Sequence, residues 1–185
     1  MKIYKFEEQL NDLMDYFVLA DPFTLLDFKN EHHLPNNLMA NFTTTEFGDK
    51  ATKEGKIIPL SKVENYPYTV YFNLTGDNFE LSKPQNDLQI RKDGYLLEVR
   101  SGIVCFFTMP YLSYFTSKKI DTLLKNRTAQ IKLPKGLYSV TILGGETQQQ
   151  TGKEPTFEFS ILPATKETKF TADINTSFKI RSEEY

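Results

Sequence analysis

Ile103-Val104-Cys105-Phe106-Phe107-Thr108-Met109 is a near-continuous apolar run that stops at Pro110. It falls far short of the ~20 apolar residues a membrane span requires. Its length and its β-branched and aromatic content predict a strand covered on both faces, as at the centre of a β-sandwich. The segments around it follow a period of two. Upstream, residues 87–92 and 95–100 flank Asp93-Gly94, a pair that favours the positive φ angles of a tight hairpin turn. Ser101-Gly102 offers a second turn. Downstream, residues 128–133 and 137–143 flank Pro134-Lys135-Gly136, again with turn chemistry.

Further out, Tyr68–Leu74 reads as a strong strand closed by Gly76, and Lys56–Leu60 as a short one. In Thr156–Leu162, Phe157, Phe159 and Ile161 fall on one face and Glu158 and Ser160 on the other. Phe170–Ile174 and Ser177–Ile180 complete the set. Lys118–Lys125 fits either a helical turn or two or a strand. Parallel strands would need crossover connections, and only 118–125 offers one after residue 56. The sequence therefore predicts a mainly β fold, an antiparallel β-sandwich of about seven to nine strands.

Before residue 56 the pattern changes. Phe6, Leu10, Leu13, Met14 and Phe17 recur at helical spacing, with Glu7, Glu8, Asp12 and Asp15 opposite, which predicts a helix over 6–19. Asp21 as cap and Pro22 at the first position predict a second, ending near Lys29–Glu31. Residues 34–55, rich in Asn, Thr and Gly, read as one long loop, and Gly144–Glu154 as a polar loop. The expected organisation is one domain over 1–185: an acidic helical segment 1–33, a long polar loop 34–55 and a β core 56–180.

Composition bounds function by exclusion. Cys105 is the only cysteine, so no intramolecular disulfide can form, which fits a reducing compartment. The acids at Glu7, Glu8, Asp12 and Asp15 interrupt any signal-peptide apolar stretch, so a cytoplasmic protein is expected. A net charge of −2 gives no general attraction to nucleic acid or membrane. Its distribution is uneven. Residues 1–33 carry −4, while Lys118, Lys119, Lys125, Arg127, Lys132 and Lys135 stand against Asp121 alone, a local +5 beside Tyr111, Tyr114 and Phe115.

Chemistry-bearing patterns are sparse. His32 and His33 are adjacent, so their side chains diverge and cannot readily share a metal. Cys105 sits in a buried strand, where a thiolate is disfavoured. No Gly-x-Ser-x-Gly elbow occurs, and Gly144-Gly145-Glu146 matches no phosphate-binding loop. Glu98 and Glu158 are the carboxylates that a glycosidase-type pair would use, although both are expected on exposed strand faces. No catalytic residue, metal or cofactor is expected.

From Gly94 to Leu143 an apolar strand, a Ser-Gly turn, a second apolar strand and the Pro134-x-Gly136-x-Tyr138 element follow one another. This quarter of the chain resembles small bacterial all-β proteins, some of them suspected immunity or inhibitor proteins. The resemblance implies a small binding protein and singles out no family. The expected function is thus a non-catalytic protein-binding module, most concretely of immunity or inhibitor type. Contact would run through Glu7, Glu8, Asp12 and Asp15 or through Lys118, Lys119, Lys125 and Arg127. The alternative is a sandwich that stacks a small molecule or carbohydrate on Tyr66, Tyr68, Tyr111 and Tyr114. The partner and the oligomeric state are not legible in the sequence.

Overall fold

The computed structural model describes residues 2–10, 14–126, 128–150 and 152–183. Among these, nine strands form two sheets. β1 (Ile3–Gln9), β4 (Tyr68–Asn73), β9 (Gly152–Pro163), β8 (Gly136–Gln149) and β5 (Asp87–Val99) make one, in that order. β3 (Ile58–Ser61), β2 (Tyr16–Ala20), β6 (Ile103–Thr108) and β7 (Ala129–Lys132) make the other. Four helices complete the fold: α1 (Pro22–Glu31), α2 (Leu38–Thr44), α3 (Phe47–Lys53) and α4 (Ser117–Lys125).

β6 explains its own composition. Val104 and Phe106 enter a core that holds residues of both sheets, with Phe106 and Phe159 ring centroids 5.1 Å apart and Phe17 and Phe157 6.5 Å apart. Cys105 and Phe107 point the other way, into a second cluster with Leu25, Phe28, Leu38, Ile120 and Leu123 of the helices. Alternation thus serves two apolar layers, and the strand is buried from Val104 to Thr108.

Several expectations are corrected. Among the described residues of 6–19 there is no helix: Phe6 ends up in β1, against Phe72, and Phe17 in β2. β2 sends Phe17 and Leu19 into the core between the sheets and Val18 and Ala20 into the cluster under the helices, so both its faces are apolar and its sequence carries no clear period. Leu13 and Asp12 lie outside the described residues. α1 does form as read, with the Asp21 side chain accepting from the Phe23 and Thr24 amides. The segment 34–55 holds two short helices rather than one loop. The Asn37 side chain caps α2 through the Ala40 amide at 3.0 Å, and buried Leu38 and Ala51 hold α2 and α3 on the core. Tertiary burial overrides weak propensity here.

Asp93-Gly94 makes a bulge, not a hairpin. β5 continues through it and pairs with β8 on either side of a register shift between Lys92 and Tyr95. Gly94 has φ +89° and accepts at its carbonyl from Thr171 N at 3.0 Å. The Ser101-Gly102 and Pro134–Gly136 turns pass the chain between sheets. Gly144–Glu154 is the far end of the β8–β9 hairpin, paired to Gln149↔Gly152. Residues 170–174 and 177–180 are not strands; a single bridge joins Ser177 to Ser61, while Phe178 and Ile180 are buried in the core. Finally, β4 and β9 pair in parallel, so the larger sheet is mixed. β5 to β8 lie between those two strands in sequence and supply the long connection that a parallel pair needs.

Candidate partner surface

α4 starts where Thr116 accepts from the Lys119 amide at 3.3 Å, and it buries Ile120 and Leu123. That arrangement leaves Lys118 and Lys125 exposed and Lys119 half-buried. Among the described residues none of the three lysines has an ion pair. The Lys119 ammonium instead lies 4.9 Å from the centroid of the Tyr111 ring, a cation–π contact. The Tyr111 hydroxyl accepts from the Asn126 side-chain amide. Tyr111 belongs to the 3-10 turn Met109–Tyr114, whose last residue is 64% exposed.

Across from this turn lies the end of β1. Glu8 has φ +53°, a left-handed conformation that strains a non-glycine residue, where the β1–β4 register shifts between Phe6 and Gln9. The Gln9 side-chain oxygen accepts from the Ala129 amide at 2.9 Å and so ties β1 to β7. Leu10 follows, 57% exposed. A hollow of about 210 Å³ opens here, lined by Glu8, Leu10, Tyr111, Asn126 and, at its floor, core residues Phe106 and Phe107.

The structure thus brings Glu8 to the same hollow as Tyr111, which Lys119 overlies, and Asn126, which ends α4. It does not bring the others. Glu7 pairs with Lys5 and lines an adjoining polar hollow with Gln149 and Glu154, on the other side of Glu8. Asp15 is exposed at the start of β2, where its carbonyl accepts from Val63 N at 3.1 Å. Asp12 and Arg127 lie outside the described residues. Sequence reading missed Leu10, whose helical spacing suggested burial.

The residues considered for chemistry are placed elsewhere. The His32 ring packs on Phe28 at 4.5 Å and near Phe47 at 5.3 Å. Among the described residues no three His, Cys, Asp or Glu side chains gather as metal ligands. Burial, with a contribution from Asp21, pushes the Cys105 thiol up to about 12. Glu98 is drawn below the usual carboxylate range: burial opposes this, and the hydrogen bonds from Arg100 and Lys56 outweigh it. Glu158 is not on an exposed face. It is fully buried, accepting from Asn73 Nδ2 at 2.8 Å and from Leu81 N at 3.0 Å. Glu98 lies opposite Leu137 of β8 and Glu158 opposite Leu143, about 20 Å further along that strand, so the two do not face each other as a glycosidase-type pair would. The tyrosines form no common platform. Tyr68 is wholly buried, stacked on Phe157 at 5.0 Å, and burial raises its phenol well above the ordinary value.

The arrangement defines a mainly β, two-sheet fold with a shallow, unevenly charged surface of exposed aromatic and aliphatic side chains. No protein-family model and no curated protein matches the sequence. Two solved structures resemble the fold, each at 12% identity and over 89% of this chain. One is described as crocagin biosynthetic gene J, with a TM-score of 0.51 and 100% of that chain covered. The other is described as ComJ, inhibitor of the DNA degrading activity of NucA, from Bacillus subtilis, with a TM-score of 0.45 and 96% covered. At this identity the likeness to the first is one of fold alone. No helix among the described residues is long and apolar enough to cross a membrane.

Proposed function

We propose that the protein is a cytoplasmic, non-catalytic protein-binding module, built as a β-sandwich of the immunity or inhibitor type. The observation that supports this most is a shallow hollow lined by Leu10 and Tyr111, with Lys119 over the Tyr111 ring and exposed Tyr114 ending the same turn. Exposed large apolar side chains ringed by charge are the usual composition of an interface centre, where tyrosine gives large contact area at low entropic cost. Lysines with no ion pair among the described residues add long-range attraction that speeds encounter with an acidic surface. Such a module works by covering its partner's surface and needs no reacting group of its own.

Affinity capture with the tagged protein at low salt, run beside the Lys118→Glu, Lys119→Glu, Lys125→Glu triple variant, tests this. A stoichiometric partner held by the wild type, released at high salt and lost in the variant is the expected result. A partner held equally by both forms would place the contact elsewhere, and no specific partner at all would sink the reading.

A further inference from the structure

α2 and α3 roof a cavity of about 180 Å³ over β2 and β3, closed at one side by Ile174 and Asn175 of the C-terminal segment. Its walls include Tyr16, Phe42, Met39, Met109, Leu112 and Ile57. Methionine side chains adapt to small aromatic guests and make favourable sulfur–ring contacts. The threonine hydroxyls in the lining are already used: Thr43 donates to Met39 O at 3.0 Å and Thr52 to Gly48 O at 2.9 Å. One ionised group remains. Asp49, exposed in the first turn of α3, is the sole charged residue of the lining and has no ion pair among the described residues.

An apolar cavity of roughly 150 Å³ accommodates a benzene-sized body, so this one has room for a ring or short aliphatic group. The aromatic walls and the single carboxylate at the mouth favour a cation there over a neutral or anionic group. We propose that this cavity binds a small apolar amine, its ring or aliphatic body among Met39, Phe42 and Met109 and its ammonium group beside Asp49. The cavity shares the 3-10 turn Met109–Tyr114 with the partner surface but is lined by Met109 and Leu112, where the hollow takes Tyr111.

The chain has four methionines, Met1, Met14, Met39 and Met109, two of which line the cavity. Full-length protein with ¹³C-labelled methionine methyl groups, titrated with 2-phenylethylamine and separately with its neutral counterpart 2-phenylethanol, reads the site directly. The expected result is saturable movement confined to the Met39 and Met109 signals. The amine should bind about two- to fivefold more tightly than the alcohol, the range of an exposed ion pair. Asp49→Asn, at an exposed position, should leave the rest of the spectrum unchanged and abolish that preference. The proposal is overturned if the amine gives no saturable movement of those two signals, if amine and alcohol bind equally, or if the preference survives Asp49→Asn.

Discussion

Asp21 shows how one side chain fixes the junction of two layers. Wholly buried, it accepts at Oδ1 from Phe23 N, Thr24 N and Ser101 Oγ, and at Oδ2 from Arg100 N and Ser101 N. The carboxylate therefore caps α1 and at the same time holds the turn that carries the chain from β5 to β6. Asp21→Ala would strand several buried N–H groups, and unfolding in denaturant should show a loss of about 2–4 kcal/mol; a loss near zero would mean that water replaces the carboxylate freely. The cap was legible in Asp21-Pro22, but the second role was not, because Ser101 is distant in sequence. Cys105 gives a different readout. With its thiol raised to about 12, it stays neutral at pH 8, and a disulfide reagent should label it only as fast as the protein unfolds. Glu98 sets an acid limit. Its lowered pKa means its ion pairs contribute stability above the ordinary carboxylate value of 4.5, and that contribution fades as pH falls below it. Glu98→Gln should flatten the acid limb of a stability–pH profile, and an unchanged limb would assign the acid sensitivity to other groups.

Among the elements, β5 separates what local sequence can and cannot specify. Asp93-Gly94 does demand positive φ, as its composition says, but the demand is met by a bulge because β8 is long enough to pair on both sides of it. Which of the two forms is decided by the partner strand, not by the pair itself. A Cβ at Gly94 would lie 2.4 Å from Thr171 Oγ1 and 2.9 Å from Ala172 N. Gly94→Ala should therefore destabilise by more than the ~1 kcal/mol of a simple propensity change and loosen the C-terminal segment, visible as faster amide exchange at Thr171 and Ala172. Exchange no faster than in the wild type would show that the bulge relaxes without disturbing the tail. The same logic accounts for the N-terminal misreading. β1 has one face on the core while β2 is buried on both, and two unlike strands joined end to end produced spacing that imitates a helix. By contrast β6, β4 and the 156–162 part of β9 were readable, because their apolar content alone sets their depth.

Across the whole molecule, the chain seals its two sheet margins unequally. On one side the C-terminal segment bridges to β3 through Ser61, meets β5 through Gly94 and Gln89, and sinks Phe178 and Ile180 into the core. Truncation after Pro163 should leave a chain without a cooperative thermal transition, since losing one buried phenylalanine alone costs about 3–5 kcal/mol. A truncated chain that still melts cooperatively would make this segment dispensable. On the other side, β1 and β7 are joined through Gln9 and Ala129, and there Leu10 and Tyr111 line the hollow, with Lys119 over Tyr111 and Tyr114 at the end of the same turn. The sequence showed the basic cluster beside the tyrosines; only the fold brings Glu8 to the same hollow as Tyr111. The most direct test is equilibrium binding of the captured partner to Tyr114→Ala beside the wild type. Tyr114 is 64% exposed, so the substitution leaves the fold intact. The account predicts a dissociation constant raised about tenfold or more, as for a central interface tyrosine. An unchanged constant would contradict it and remove this surface from the binding role.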